Sequence, residues 1–256
     1  MKCEVATILS NEEIAKDTYR MEMQAEIAAD MQPGQFVNIQ IDSFFLRRPI
    51  SICDVIDPQH FVIIYKVVGD GTKRLSLMDK GQTLNVFGPL GHGYPIEEKE
   101  DSILLIGGGV GVPPLYELAK QYRRLDKKVD VVLGFNDRGS LFYEEEFKAL
   151  GCRVYVATMD GSYGTKGTVM DAIDEAGITT DFVCSCGPVP MLKAVEARYQ
   201  RGYVSFESRM ACGIGALRKT RKKKNFIIES VKRDRCSRSE RWHLDGSKRK
   251  TAWSAA

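Results

Sequence analysis

No stretch of the chain approaches the roughly 20 consecutive apolar residues that a membrane helix requires, which argues against a spanning helix. The N-terminus, MKCEVATILSNEE, has no long apolar run and turns acidic at once. That predicts no signal peptide and a cytoplasmic location. Cysteines are few: Cys3, Cys53, Cys152, Cys184, Cys186, Cys212 and Cys236 are odd in number and scattered. A disulfide framework is not expected in a reducing compartment. Most of these thiols are expected as small buried hydrophobes. No internal repeat is present.

What is present suits a soluble globular chain. At 256 residues it is long for one core, so two domains of roughly 100–130 residues each are expected. Its net charge of +3 hides an asymmetry. From Leu217 onward 14 Lys and Arg face 4 Asp and Glu, a net of +10, which leaves −7 for the first 216 residues. The folded body is therefore acidic and the tail basic.

Residues 1–98 contain short β-rich runs such as QFVNIQI (35–41), FVIIYKVV (61–68) and TLNVFGPL (83–90), with Pro33-Gly34 and Asp70-Gly71 as turn signals. Short strands without long helices predict a small antiparallel barrel. A charged hinge at Glu97–Asp101 leads into a second pattern over 99–205. There SILLIGGG (102–109), VDVVLGF (129–135), RVYVATMD (153–160) and DFVCSCGP (181–188) alternate with the helical stretches PLYELAKQYRRL (114–125), VMDAIDEAG (169–177) and MLKAVEARY (191–199). Strands alternating with helices predict a parallel sheet. Residues 206–256 form a third segment. From Leu217 it is basic, Ser-rich and without periodicity, and reads as a disordered or poorly packed appendage.

Four motifs carry chemistry. Gly107, Gly109 and Gly111 stand in GGGVGVPP between a strand and a helix, where backbone N–H groups approach a phosphate closely. The spacing is G-x-G-x-G-x-x-P, and no acidic residue ends the next strand at Phe135 to grip a ribose, so an ordinary dehydrogenase loop is disfavoured. Arg47-Arg48-Pro49-Ile50-Ser51-Ile52 offers a two-pronged phosphate donor and a hydroxyl on an extended strand; alone it is more often a solvated arginine pair. Ile64-Tyr65-Lys66 followed by Gly71-Thr72 joins a strand to a turn that opens the helix-like stretch 72–78; alone it is a core strand and a plain turn. Ser185-Cys186-Gly187-Pro188 ends a buried strand, where an open parallel sheet binds its ligands, though Cys186 alone is equally a buried thiol.

In this order the four motifs resemble the ferredoxin–NAD(P) reductase superfamily over residues 1–205. GPLGHGYP (88–95), GGGVGVPPL (107–115), FYEEEF (142–147), DGSYGTKGTV (160–169), SCGPVPMLKAV (185–195) and ESRMACGIGA (207–216) are similar to electron-transfer subunits of type B dihydroorotate dehydrogenases. The resemblance implies an FAD-binding barrel and a nicotinamide-binding α/β domain. Arg48 would meet the pyrophosphate of FAD and Ser51 the polar edge of the flavin, with Pro49 and Ile50 holding the same face. Ile50 stands where many reductases stack a tyrosine. Ile64, Tyr65 and Lys66 would line the ribityl and adenosine side, and Gly71 and Thr72 a phosphate. Gly107, Gly109, Gly111, Cys186, Gly187 and Pro188 would shape the NAD(H) site. The partner implied is an FMN-containing dihydroorotate dehydrogenase catalytic subunit, in a heterotetramer with two of each chain. A related NAD(P)H:ferredoxin or sulfide-type reductase subunit, and a non-catalytic remnant that only binds nucleotide or a partner, remain as alternatives.

The resemblance stops at Ala216. In the family, four cysteines spaced about C-x4-C-x2-C-x14-C hold a [2Fe–2S] cluster. Cys212 matches the first. The second position is Leu217, the third Thr220, and the fourth Arg235, beside Cys236. Neither leucine nor arginine replaces a thiolate on iron, so the segment is an altered remnant that is not expected to hold a cluster. The abrupt change motivates the hypothesis of a shifted reading frame after codon 216. If neither other frame encodes C-x2-C and a later cysteine, that hypothesis is wrong. The run Arg218–Lys224 is a solvated charge run, and no aromatic interleaving marks a specific nucleic-acid reader.

Overall fold

A computed structural model describes residues 1–206, together with 217–223 and 226–231. The N-terminal part is a closed barrel of six antiparallel strands: β1 (Lys2–Ala15), β2 (Thr18–Gln24), β3 (Phe36–Gln40), β4 (Arg48–Asp57), β5 (His60–Lys66) and β6 (Thr83–Leu90), in the order β1-β2-β5-β4-β3-β6. One short helix, α1 (Asp70–Ser76), bridges β5 and β6.

Alternation fills the barrel. Met21, Met23, Ile39, Ile52, Phe61, Ile63, Leu84 and Val86 point inward and are buried. Strand β5 reads as a continuous apolar run because it is covered on both faces. Its Phe61, Ile63 and Tyr65 join the barrel core, whereas Val62 and Ile64 join the core shared with the second domain.

The second part is a sheet ordered β10-β9-β8-β7-β11-β12-β14-β13. Its strands are β7 (Ser102–Gly108), β8 (Lys128–Phe135), β9 (Arg153–Thr158), β10 (Thr165–Lys166), β11 (Phe182–Cys186), β12 (Arg201–Phe206), β13 (Leu217–Lys223) and β14 (Phe226–Val231). All neighbours are parallel except β13 and β14. Helices α2 (Pro113–Arg124), α3 (Glu144–Ala149), α4 (Val169–Glu175) and α5 (Val189–Arg198) make the crossovers. In β7, Ile103 and Leu105 face the α2 side, while Leu104 and Ile106 face the α4 and α5 side. Both faces are covered, as the apolar run SILLI requires.

Two features differ from the sequence reading. Segment 97–101 is pinned and is not a free hinge: the Glu97 N–H donates to Tyr122 Oη at 3.1 Å, the Glu97 carboxylate accepts from Tyr203, and Glu100 pairs with Arg201. Inside the basic tail, β14 pairs parallel with β12 and β13 pairs antiparallel with β14. Charge content alone hides the run Phe226-Ile227-Ile228, whose strand propensity suits the otherwise open edge of β12.

Candidate functional site

The adjacent arginines at the start of β4 have different surroundings. Arg47 is spent on the barrel: its Nη2 donates to Asn85 Oδ1 at 2.6 Å and to Gln40 Oε1 at 3.0 Å, and its Nη1 to the Asn85 carbonyl at 3.2 Å. Arg48 turns toward α1. Its guanidinium lies 5.0 Å from the Phe44 ring centre and donates to the Leu46 carbonyl. A Cβ on Gly71 would sit 2.7 Å from Arg48 Nη2 and 2.9 Å from Cζ. Glycine at 71 therefore makes the room in which Arg48 lies, and two motifs 23 positions apart meet there. Thr72 serves the turn itself: its Oγ1 accepts from the Val68 N–H at 3.0 Å and donates to the Gly69 carbonyl at 3.0 Å.

Elsewhere on the barrel, Pro49 is exposed, Ile50 is buried in the barrel core, and Ser51 is half-buried opposite Phe36. Tyr65 has its ring inside the barrel, stacked on Tyr19 at 5.7 Å, and its hydroxyl donates to Asn11 Oδ1 at 2.8 Å. Burial pushes the Tyr65 phenol well above its ordinary range. The ring is thus a core group, the reading its strand allowed from the start. Ile64 faces the other domain, and Lys66, half-buried, ends the strand.

On the sheet side the strand order reverses at β7, with β8 on one flank and β11 on the other. The crevice at the carboxyl ends of these strands is the usual ligand position of an open sheet. Both remaining motifs lie there, and Gly107 is in register with Cys186. They touch through missing side chains. A Cβ on Gly111 would overlap the Cys186 carbonyl and lie 2.6 Å from Gly187 Cα. One on Gly187 (φ +154°) would lie 3.0 Å from the Gly108 nitrogen, and one on Gly108 would lie 2.8 Å from Pro188 Cδ. A Cβ on Gly107 would meet Val112 at 2.9 Å. Gly109, at φ +52°, would meet nothing within 4 Å. That corner is closed on its inner side and open at Gly109. Pro113 starts α2, where a missing N–H costs little.

The halves are joined by buried contacts that sequence reasoning missed. The Gly109–Gly111 turn lies against β5. Helix α2 packs on β4. There the Val55 N–H donates to Glu117 Oε2 at 3.0 Å, and Lys120 Nζ reaches Glu117 at 2.8 Å, the Val55 carbonyl at 2.8 Å, and the Asp54 carboxylate. Tyr94 spans from the barrel to the Ser185 carbonyl. The helical spacing of α2 marks Glu117 as a polar residue on a buried face, the one signal available beforehand.

Known proteins can be set beside this geometry. Residues 105–197 match the family model described as the oxidoreductase NAD-binding domain. A protein of Fusobacterium nucleatum subsp. nucleatum named dihydroorotate dehydrogenase B (NAD(+)), electron transfer subunit, is 50% identical over 228 residues, covering 84% of this chain and 88% of that protein. One of the same name from Bacillus mycoides is 47% identical over 218 residues, covering 82% and 84%. The chain belongs to this family of electron transfer subunits. Members are thus NAD-linked oxidoreductase subunits, and the fold agrees. The structure of an NADH-dependent reduced ferredoxin–NADP oxidoreductase superposes with a TM-score of 0.75 at 32% identity, over 84% of this chain and 83% of that one. Phthalate dioxygenase reductase, at 20% identity and TM-score 0.64, over 80% of this chain and 68% of that one, shares the fold. No helix among the described residues is long and apolar enough to cross a membrane. Cys212 and Cys236 lie outside the described residues. Among the described residues no group of three His, Cys, Asp or Glu is placed to hold a metal ion.

Proposed function

We propose that the chain holds FAD on the barrel and NAD(H) at the glycine corner, and passes electrons between NAD(H) and a dihydroorotate-oxidising catalytic subunit. The observation that carries this is the seating of the Gly109–Gly111 turn against β5, the strand that ends in Ile64–Lys66. The residues fit both groups. Arg48 is a forked cation lying over a glycine, a phosphate-matching donor. Gly109 is an open glycine after a parallel strand and ahead of a helix, suited to close approach by a pyrophosphate.

The chemistry a flavin supplies at such a site is exchange of a hydride with nicotinamide and of single electrons with a one-electron carrier. This chain's residues bind and orient. Arg48 neutralises phosphate charge, and the Ser51 hydroxyl is on the same strand to meet a polar ring edge. Gly107, Gly109, Gly111, Cys186, Gly187 and Pro188 form the wall on which the nicotinamide nucleotide lies. No general acid or base is needed.

The [2Fe–2S] group does not fit the donor set. With Leu217, Thr220 and Arg235 at the ligand positions, Cys212 stands without the thiolates a cluster needs. Electron exchange with an FMN-containing partner, in an assembly of two of each chain, is accordingly impaired. A cytoplasmic setting goes with this reading. Likeness to the NADH-dependent ferredoxin–NADP enzyme supports a second reading, a ferredoxin-type reductase subunit. Co-purification with an FMN-containing dihydroorotate partner separates the two.

The test is an absorbance spectrum of the purified chain with and without NADH. Expected are a yellow protein, bleaching by NADH, and no cluster spectrum. A colourless protein that refuses added FAD overturns the reading. A stoichiometric cluster spectrum overturns the impairment alone.

A further inference from the structure

We propose that Tyr94 is a positioning residue that sets the distance between the flavin-binding barrel and the nicotinamide-facing loops, and through it the rate of hydride transfer. The inference rests on the function proposed above.

Tyr94 lies in the segment that leaves β6 and crosses to β7, within the string GPLGHGYP. It is 7% exposed and belongs to the core shared by both domains. Its backbone is fastened to the barrel: the N–H donates to the Pro33 carbonyl at 2.8 Å. Its ring is pressed against Gly34, where φ is +82° and a Cβ would sit 2.6 Å from Tyr94 Cδ2 and 2.9 Å from Cε2. Gly93 makes the same close approach, since a Cβ there would lie 2.9 Å from the Pro33 carbonyl. The Pro33-Gly34 turn is therefore a socket for the aromatic ring that a side chain at position 34 would close.

The far end of the side chain meets the sheet. Tyr94 Oη donates to the Ser185 carbonyl at 3.0 Å, with both groups buried. Ser185 precedes Cys186 and Gly187, the loop that packs on Gly111. Its own Oγ donates to the Ile106 carbonyl at 2.9 Å, on the strand that runs into Gly107. One hydroxyl is thus keyed to the point where Ser185 links β11 to β7, at the first residue of the Ser185–Pro188 motif and one residue before Gly107. A tyrosine has two side-chain torsions and a fixed length, and here both ends are held. It acts as a strut between the barrel and the crevice. Displacement of reacting groups by about 1 Å costs on the order of 10²-fold in rate, so a partial loosening is read as a slower hydride step.

The experiment compares Tyr94→Phe with the wild-type chain by rapid mixing with NADH. Tyr122→Phe is the control. Tyr122 is fully buried in the same core, and its hydroxyl accepts from the Glu97 N–H at 3.1 Å, so Tyr122→Phe removes a buried hydroxyl while leaving the bond from Tyr94 to the Ser185 carbonyl in place. Expected for Tyr94→Phe are full FAD content, an unchanged NADH dissociation constant, a flavin-reduction rate lower by about tenfold, and a weaker long-wavelength charge-transfer band. Tyr122→Phe is expected to lose comparable stability and keep the rate. Gly34→Ala keeps the hydroxyl and disturbs the socket; it is expected to slow reduction too, and it carries the test if Tyr94→Phe does not fold. A wild-type rate in the folded variant, or equal slowing in Tyr122→Phe, overturns the proposal. A wild-type chain that NADH does not bleach overturns the function and this inference together, whereas a bleaching wild type beside an equally fast Tyr94→Phe overturns only the inference.

Discussion

On the barrel side the candidate site is made by a side chain that is present; on the sheet side it is made by side chains that are missing. Arg48 brings a charge and a fork of donors, and Gly71 clears the space for it. The crevice between β7 and β11 is lined by Gly107, Gly109, Gly111 and Gly187, and what it offers is backbone. The two constructions fail differently. Where charge makes the site, a substitution subtracts an interaction and leaves the fold. Where absence makes it, a substitution adds atoms against main chain, which has no rotamer to move to.

The sharpest way to break this contrast is Gly111→Ala. Its methyl group would overlap the Cys186 carbonyl, so the two loops must part. The expected loss is about 10²-fold in NADH-driven flavin reduction, with retained FAD and a lower melting temperature from roughly 1–3 kcal/mol of overpacking. Stopped-flow reduction and a thermal scan check it; normal kinetics would mean that the glycine wall is not where NADH lies. Arg48→Ala is the counterpart. Losing a charged hydrogen-bond partner costs about 1.5–3 kcal/mol, so FAD affinity should drop by roughly 10–100-fold, with the barrel intact by circular dichroism. Flavin titration measures this, and equal loss from Arg47→Ala would erase the distinction between the neighbours.

Gly71→Ala is expected to do less. Its Cβ meets the end of a flexible arginine rather than backbone, so Arg48 can move aside, and FAD should weaken by about threefold, under 1 kcal/mol. An effect as large as that of Gly111→Ala would show that α1 is as rigid as the crevice. The smallest effect concerns thiols. Burial pushes Cys152 up to about 11, and Cys53 and Cys184 higher. The thiolate is the reactive form, so iodoacetamide at neutral pH should label exposed Cys3 and leave those three unmodified, as peptide mass spectrometry would show. The sign for stability follows. Unfolded thiols ionise near about 8.5 while the buried ones stay neutral, so stability falls as pH rises above that value. Early labelling of Cys184 would contradict its place in the sheet core.

Much of this was legible in the order of residues. The change from short β-runs to strands alternating with helices marks where barrel gives way to sheet. GGGVGVPP announces a strand–loop–helix corner by itself, because glycine and proline restrict or free the backbone locally. The proposed loss of cluster ligands needs only the identities at 217, 220 and 235. Side-chain direction was harder. FVIIYK has no polar alternation, so nothing local says that Ile64 turns toward the second domain while Tyr65 turns into the barrel. Nor does Arg47-Arg48 reveal which arginine Asn85 claims.

Element type and domain order are local properties, set by periodicity, backbone freedom and residue identity within a few positions. The pairing of Arg48 with Gly71, of Gly111 with Gly187, and of Tyr94 with Ser185 joins residues 23, 76 and 91 positions apart. Such contacts exist only once barrel closure and sheet order bring distant segments within van der Waals reach, because their energy comes from packing and buried hydrogen bonds that no short stretch of chain can make alone.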